Sequence, residues 1–319
     1  MSTSISNLER LDDEGKIYMA EFTGDTNHPI LNAFPGLASS VGCSTFEAAD
    51  EQGNNIMGRN FDFPHFDAND NSISLNFILK MNPAGKYSSI NTIDMLLFNY
   101  IGFGYTPGCL EQASALQKFA YGLLPNACMD GINEMGLSGA VLSLDVKDGE
   151  EASKMQLSGQ NLENGPSLLR KILDNCATVD EAIELASHVN YTGALGGDYH
   201  LFVADAGGNS AVLEWRYNEF NPIITDAATN FYSGYTDGCD HYDTKGVLTD
   251  ALVAPNSPYK TYNIGFGHGY SRFKTIVERL DQFRTEVGAQ AKMSEQEATQ
   301  LLMDVAQKSD ASDKTSGTQ

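Results

Sequence analysis

The stretch from Gly42 to Asp62 constrains the fold of this chain more than any other. Residues 44–49 are β-prone, residues 50–54 carry turn formers, and Ile56-Met57 begins a second β-prone run. Two such runs around a short polar turn predict a β-hairpin. Because a hairpin brings its two ends together, residues near both ends of this stretch are expected to be neighbours.

Three residues at the ends of the hairpin have the chemistry of a reactive site: Cys43, Arg59 and Asp62. A thiol beside a cation and a carboxylate, all on rigid strands, is typical of an activated nucleophile. By residue type alone, however, a lone cysteine on a strand is more often a core residue, and Arg-x-x-Asp is more often a surface ion pair. The hairpin by itself leaves both interpretations open.

Composition limits the class of protein. Hydrophobic residues make up 41% of the 319 residues, enough for a sizeable core in one large domain or two smaller ones. The formal net charge of −22 predicts repulsion from nucleic acid and from anionic membranes, so neither is expected as a principal partner. The absence of a leader-like or membrane-spanning run predicts a cytoplasmic protein, or a secreted one if a leader was removed.

Cysteine usage argues against a disulfide framework or a zinc site. The five cysteines are odd in number and widely spaced, and no Cys-x-x-Cys occurs.

Rival sites are weak. The calcium-like start at residues 67–71 lacks its liganding glutamate, residues 237–243 are typical of a solvated loop, and Gly265–Gly269 follows no Rossmann strand. A Cys–His dyad with His65 or His200 stays open.

The remaining chain alternates strands with paired helices, which predicts an α+β fold with antiparallel sheets. The stretch 233–260 is expected to be a loop that forms a lid. The strands are predicted at residues 16–22, 72–81, 90–98, 130–144 (two, joined at 134–136), 199–204, 211–217 and 223–231. The helices are predicted at 116–124, from Pro166, from the caps Thr178 and Ser271, and from Ser294.

Four further segments form a pattern with the hairpin: Asn133-Glu134-Met135-Gly136-Leu137, the hairpin Tyr199–Trp215, Thr229-Asn230, and Ser271-Arg272-Phe273. Together with Gly42-Cys43 and Arg59-Asn60-x-Asp62, and in the same order, they resemble the linear amide C–N hydrolases. That family includes choloylglycine (bile salt) hydrolases, penicillin V acylases and, more distantly, acid ceramidase and the isopenicillin acyltransferases. An ordered set is far more specific than any single motif.

The resemblance implies the fold of the N-terminal-nucleophile (Ntn) hydrolases, a four-layer αββα sandwich of antiparallel sheets. It implies that residues 1–42 are a propeptide or N-terminal extension and that residues 43–319 form a single catalytic domain. The family normally adds closing strands beyond the point where this chain stops. We therefore expect the domain to lack its final strands or to finish its sheet differently.

The resemblance also implies roles for individual residues. Cys43 would be the nucleophile, with its own α-amine as the base after autoproteolysis between Gly42 and Cys43. Arg59 would favour the thiolate and Asp62 would hold the α-amine. Asn230 would donate to the oxyanion, and Arg272 would support the Asp62 region or the substrate.

One position departs from the family. Bile salt hydrolases carry a second oxyanion asparagine ten residues after the asparagine that corresponds to Asn133, and here that position is Ser143. A serine hydroxyl or a nearby backbone N–H can donate instead. Ser143 and Asn133 are therefore candidates for the oxyanion or substrate site.

The implied activity is hydrolysis of a linear amide bond of the bile salt, penicillin V or N-acyl amide type through a thioester. The alternatives are an acyltransferase that uses the same nucleophile and a non-catalytic binding protein of the same fold. No metal and no organic cofactor is expected. The expected partner is a small-molecule amide, and a homo-oligomer is compatible with the sequence.

Overall fold

The structure is a computed structural model that describes residues 4–24, 26, 42–63, 74–144, 154–193, 198–233, 269–286, 289–306 and 317–318. In the described part of the chain the strands are β1 (Ser4–Arg10), β2 (Ile17–Thr23), β3 (Gly42–Ala49), β4 (Asn55–Phe63), β5 (Asn76–Met81), β6 (Ser89–Asp94), β7 (Asp130–Asn133), β8 (Ser138–Leu144), β9 (Lys154–Met155), β10 (Leu162–Glu163), β11 (Asn190–Thr192), β12 (Asp198–Ala204), β13 (Ser210–Arg216), β14 (Glu219–Ile224), β15 (Ala227–Ala228) and β16 (Gly317–Thr318). The α-helices are α1 (Ala115–Ala120), α2 (Gly165–Asn175), α3 (Val179–Ser187), α4 (Gly269–Gln282) and α5 (Glu295–Asp304), and short 3-10 helices cover Met95–Ile101, Leu110–Gln112 and Tyr121–Ala127.

The strands form one large sheet and two small ones. The large sheet has nine strands in the order β1-β2-β5-β6-β7-β8-β12-β13-β14. A four-stranded sheet has the order β15-β3-β4-β16, and a three-stranded sheet the order β10-β11-β9. The prediction of purely antiparallel sheets is wrong at two places, because β2 pairs with β5, and β10 with β11, in parallel.

The N-terminal strands belong to the large sheet. β2 pairs with β5 over six positions, from Ile17–Asn76 to Phe22–Met81. Its alternate side chains, Tyr18, Ala20 and Phe22, are 1% exposed or less and pack in the core with β5. β2 also pairs with β1 along its other edge, so β1 and β2 are part of the main fold of the uncut chain.

Helices cover both main sheets. α2 and α3 pack against β7, β8, β12 and β13 of the large sheet, and α4 and α5 pack against β3 and β4 of the four-stranded sheet. The core under α4 and α5 contains Phe46, Phe273, Ile276 and Leu301. Another core joins Cys43 and Phe61 of the four-stranded sheet to side chains of β8, β12 and β13. Cys43 therefore lies on the side of the hairpin that meets the large sheet.

The predicted hairpin is confirmed. β3 and β4 pair from Gly42–Asp62 to Ala49–Asn55, and the turn closes with the Asp50 N–H donating to the Asn54 carbonyl. Gly58 lies opposite Phe46, and a Cβ at Gly58 would come within 2.4 Å of the Phe46 ring. A side chain cannot be placed there without moving that ring, so glycine lets the aromatic core approach the strand.

Several local predictions are confirmed and four need correction. The strand predicted at 90–98 ends at Asp94, and a 3-10 helix covers Met95–Ile101. The two strands at 130–144, the hairpin from 199, and the helices after Pro166, Thr178 and Ser294 all form. The single strand at 223–231 is wrong, because the chain leaves the large sheet after β14 and joins the four-stranded sheet as β15. The predicted lid at 233–260 lies outside the described residues beyond Ser233.

The other two corrections concern helix ends. The cap at Ser271 is wrong because Gly269 and Tyr270 are already helical, so Ser271 is in the first turn, where N–H groups have no intrahelical partner. The helix predicted at 116–124 is α-helical only to Ala120 and then tightens into a 3-10 helix that contains Pro125. A proline there removes an N–H that a continuing α-helix needs.

Candidate active site around Cys43

The hairpin register places Cys43 and Arg59 on the same face. Cys43 pairs with Phe61, and Thr45 pairs with Arg59. Side chains alternate along a strand, so these four point to one face, which is the face toward the large sheet. Asp62, which pairs with Gly42, points to the opposite face. The hairpin therefore separates the cation near the thiol from the carboxylate.

Arg59 contacts the thiol directly. Its Nη2 lies 3.6 Å from Cys43 Sγ and also donates to the carbonyl of Val141 in β8. Its Nη1 donates to Asp130 Oδ2 at 3.1 Å, and its guanidinium lies over the Phe61 ring, 5.1 Å from the centroid. Both sheets thus hold this arginine, which fixes its charge beside the sulfur.

Asp130 is the carboxylate partner of Arg59 and was not identified from the sequence. It begins β7, and its Oδ1 accepts from the Thr92 hydroxyl of β6. The sequence separation of 71 residues between Arg59 and Asp130 hides the pair. The only signal was the position of Asp130 at the start of the Asn-Glu-x-Gly-Leu hairpin.

The electrostatics of Cys43 are a balance between burial and charge. Cys43 is 1% exposed. Burial raises the pKa of the Cys43 thiol, and Asp62 adds to that rise, whereas Arg59, an N–H of the Ser143 backbone and Arg272 act to lower it. Since the net direction is upward, formation of the thiolate requires a base that removes the proton.

Asn230 bridges Cys43 and Ser143. β15 pairs with β3 at Ala228–Thr45, which brings the residues after β15 next to Cys43. Asn230 Oδ1 accepts from the Cys43 backbone nitrogen at 2.8 Å. Asn230 Nδ2 donates to the Ser143 carbonyl at 2.7 Å and to Ser143 Oγ at 3.0 Å. Asn230 therefore joins the main chain of Cys43 in the four-stranded sheet to Ser143 in the large sheet.

Asp62 and Arg272 meet at the backbone end of Cys43. Arg272 Nη1 donates to the Cys43 carbonyl at 2.7 Å, to Ser44 Oγ at 2.6 Å and to Asp62 Oδ2 at 3.3 Å. Its Nη2 donates to Asn230 Oδ1. The side chains of Arg272 and Asp62 are 1% and 0% exposed. Arg272 therefore contacts the main chain of Cys43, and Asp62 contacts Arg272.

The structure does not bring Asn133 into this cluster. Asn133 Nδ2 donates to the carbonyls of Leu173 and Cys176 at 3.0 and 2.7 Å, and Oδ1 accepts from the N–H groups of Met135 and Leu137. These four bonds tie the β7–β8 turn to the end of α2. Asn133 has a structural part in this arrangement.

A Cys–His dyad is not formed with His200. The His200 ring is fully buried and bonds to Glu214 and to the Thr229 carbonyl. His65 lies outside the described residues. Among the residues that the structure describes, no group of three or more His, Cys, Asp or Glu side chains is placed to hold a metal ion. No described helix is long and apolar enough to cross a membrane.

Comparison with known proteins decides the family. Residues 43–221 match the linear amide C–N hydrolases, choloylglycine hydrolase family, and the match begins at Cys43. This chain belongs to that family. It is therefore a hydrolase of linear amide C–N bonds, and the interpretation as a non-catalytic binding protein is set aside. Asn230 and Arg272 lie beyond the matched residues.

Solved structures agree on the fold. Two variants of the conjugated bile acid hydrolase from Clostridium perfringens are similar to this chain, each with 17% sequence identity. Their TM-scores are 0.55 and 0.54; the alignments cover 87% and 86% of this chain and 84% of each of those chains. Both have the Ntn-hydrolase fold. A search of curated protein sequences found no significant match.

Proposed function

We propose that this amide hydrolase uses Cys43 as an N-terminal nucleophile after cleavage of the Gly42–Cys43 bond. The observation that carries the proposal is the position of the two ends of Cys43. The sulfur lies beside the cation of Arg59, and the backbone nitrogen lies beside Asn230 Oδ1 at 2.8 Å. One residue thus presents both a thiol and the atom that becomes its base.

The reaction needs four steps on this residue. The α-amine, whose ordinary pKa is about 7.7–8.0, takes the proton of the Cys43 thiol. The sulfur bonds to the acyl carbon, and the amide C–N bond breaks as the same proton passes to the leaving amine. Water then attacks the thioester, and Cys43 leaves as the thiol. The products are a carboxylic acid and a free amine.

Two hydrogen-bond donors, Asn230 Nδ2 and the Ser143 backbone N–H, would stabilise the oxyanion. Asn230 Nδ2 now donates to Ser143 Oγ at 3.0 Å, which marks a place for an acceptor oxygen. The backbone N–H of Ser143 helps to lower the pKa of the Cys43 thiol, and it is proposed as the second donor to the tetrahedral oxygen. Ser143 then acts through its backbone rather than as a replacement for the family asparagine. Such preorganised donors contribute most where charge develops.

Asp62 and Arg272 are proposed to position the α-amine. Arg272 bonds to the Cys43 carbonyl and to Asp62, so the main chain of Cys43 has a fixed place relative to its sulfur. The guanidinium charge also disfavours a protonated amine nearby, which keeps the amine available as a base. The adjacent carboxylate of Asp62 limits this effect of the Arg272 charge and would accept a hydrogen bond from an N–H of the α-amine.

The packing supports the four-layer αββα arrangement as the finer form of the fold. α2 and α3 contact the large sheet, and α4 and α5 contact the four-stranded sheet. The two sheets share the core that contains Cys43 and Phe61. We place the site between these two sheets, with one pair of helices outside each.

The proposed substrates are N-acyl amides of the bile salt, penicillin V or N-acyl amino acid type. The net charge of −22 disfavours strongly anionic molecules at long range, although Arg59 can override that field locally. A panel of conjugated bile acids, penicillin V and N-acyl amino acids, assayed for released amine, identifies the class. Hydroxylamine added as a competing acceptor separates acyl transfer from hydrolysis.

The decisive test combines intact mass, N-terminal sequencing and activity. Active protein is expected to contain a chain that begins at Cys43. Cys43→Ala is expected to stay uncut and inactive, whereas Cys128→Ala, which changes another fully buried cysteine, should mature and turn over normally. Full activity in a chain that is still continuous through Gly42–Cys43 would refute the α-amine mechanism.

A further inference from the structure

A buried acid–imidazole pair lies directly behind Asn230. His200 in β12 and Glu214 in β13 are both 0% exposed, and His200 Nδ1 lies 3.0 Å from Glu214 Oε1. His200 Nε2 lies 2.8 Å from the Thr229 carbonyl oxygen. Glu214 Oε1 also accepts from the Ser233 N–H at 2.7 Å. The pair therefore bonds to the main chain on both sides of Asn230.

The segment 229–233 needs such anchors because it has left the sheet. β15 ends at Ala228, and residues 229–233 form no strand. Its side chains diverge: Asn230 points to Cys43, whereas the ring of Tyr232 lies 4.7 Å from the Arg216 guanidinium. The bonds to His200 and Glu214 fix the backbone of this segment at Thr229 and at Ser233.

The proton arrangement of His200 follows from its partners. A carbonyl oxygen can only accept, so Nε2 must carry a proton to bond to Thr229. Two forms of the pair keep a proton on Nε2: a Glu214 carboxylate that accepts from Nδ1–H of an imidazolium, or a neutral Glu214 acid that donates to a bare Nδ1. A carboxyl group at this place is therefore compatible with the bond from Nε2 to the Thr229 carbonyl.

We propose that His200 and Glu214 are positioning residues for catalysis, which hold the Thr229–Ser233 backbone so that Asn230 Nδ2 is aimed at the oxyanion. This inference rests on the proposed oxyanion role of Asn230. It predicts that the pair acts on turnover through Asn230 and not through the general stability of the core. Errors of about 1 Å in such a donor are enough to reduce catalysis.

Glu214→Gln is the sharpest perturbation because it keeps the size of the side chain. If the amide oxygen accepts from both the Ser233 N–H and His200 Nδ1–H, the neutral ring has no proton on Nε2. The lone pair of Nε2 then faces the Thr229 carbonyl and that hydrogen bond is lost. If the amide turns to donate to Nδ1, the Ser233 N–H loses its acceptor. In either case the segment loses one of its two hydrogen bonds, the one at Thr229 or the one at Ser233. We expect kcat to fall about 10- to 100-fold with KM changed less than about twofold, because an oxyanion donor acts mainly in the transition state.

A double-mutant cycle with Asn230→Ala tests the mechanism of this loss. If the pair acts through Asn230, Glu214→Gln should cause little further loss of kcat once Asn230 is alanine. Asp174→Asn is the matched control, since it breaks the buried Arg170–Asp174 pair (2.7 Å), far along the chain from Asn230. It should lower the melting temperature and leave kcat of the folded enzyme unchanged.

The outcomes separate this inference from the proposed function. Normal kcat in Asn230→Ala would overturn the oxyanion role, and the positioning role with it. Impaired Asn230→Ala with fully additive or absent loss from Glu214→Gln would overturn the positioning role alone. Should Glu214→Gln fail to fold, ¹⁵N-histidine NMR of the wild-type enzyme decides: we expect a slowly exchanging Nε2–H with contacts to Thr229, and an unprotonated Nε2 would refute the arrangement.

Discussion

Removal of the Arg59 charge should make Cys43 measurably less acidic. Arg59→Met keeps an unbranched apolar stem over Phe61 and deletes the guanidinium. Arg59 Nη2 lies 3.6 Å from Cys43 Sγ. At that distance Coulomb's law with an effective dielectric constant of about 20 gives an upper bound of about 4–5 kcal/mol for the stabilisation of the thiolate by Arg59. Spreading of the charge over the guanidinium and entry of solvent make the actual stabilisation smaller than this bound.

Thiolate absorbance near 240 nm measures this change without depending on access of a reagent to a buried sulfur. Each variant is compared with its own Cys43→Ala counterpart, so the other cysteines cancel. The titration midpoint of Cys43, already raised by burial, should move further upward in Arg59→Met. Arg279→Met is the control, since Arg279 is also ion-paired, to Asp304 at 2.9 Å. An unchanged midpoint in Arg59→Met, or an equal shift in the control, would refute the reasoning.

Three further changes test other parts of the structure. Asn230→Ala should lower kcat about 10²–10³-fold with little change in KM, whereas Ser143→Ala, which keeps the backbone N–H, should have a much smaller effect; equal effects in steady-state kinetics would contradict the assignment. Gly58→Ala should destabilise the protein by about 1–3 kcal/mol in urea unfolding, because its Cβ would meet the Phe46 ring, and an unaffected midpoint would argue against that contact. Phe22→Ala should cost about 3–5 kcal/mol in the same assay if β2 is part of the core, and a negligible cost would mean that it is not.

The hairpin around Cys43 could be predicted because its information is local. Two β-prone runs and the polar turn between them lie within 21 residues, and the positions of Arg59 and Asp62 near Cys43 in the hairpin follow from them. Helix starts at Thr178 and Ser294 were predictable for the same reason, since a cap and its partner are three residues apart.

Features that depend on contacts between distant segments could not be predicted. Nothing near Arg59 indicates that Asp130 is its partner, and nothing in β2 indicates a parallel pairing with β5. The segment 223–231 was predicted to be one strand, but it crosses between sheets at Thr225-Asp226, where Asp226 bonds to Arg284. The alternation of side chains along a strand predicts which face is buried, but it does not predict which strand pairs with it.

The place of β1 and β2 in the large sheet has a consequence for how the mature enzyme would unfold. Cleavage between Gly42 and Cys43 would leave two chains that share one sheet, because β2 stays paired with β5. Loss and recovery of structure would then be a dissociation and a bimolecular reassociation, so the melting temperature of the cut form should rise with protein concentration. The uncut Cys43→Ala protein would keep both segments at a fixed effective concentration and should refold after dilution without that dependence.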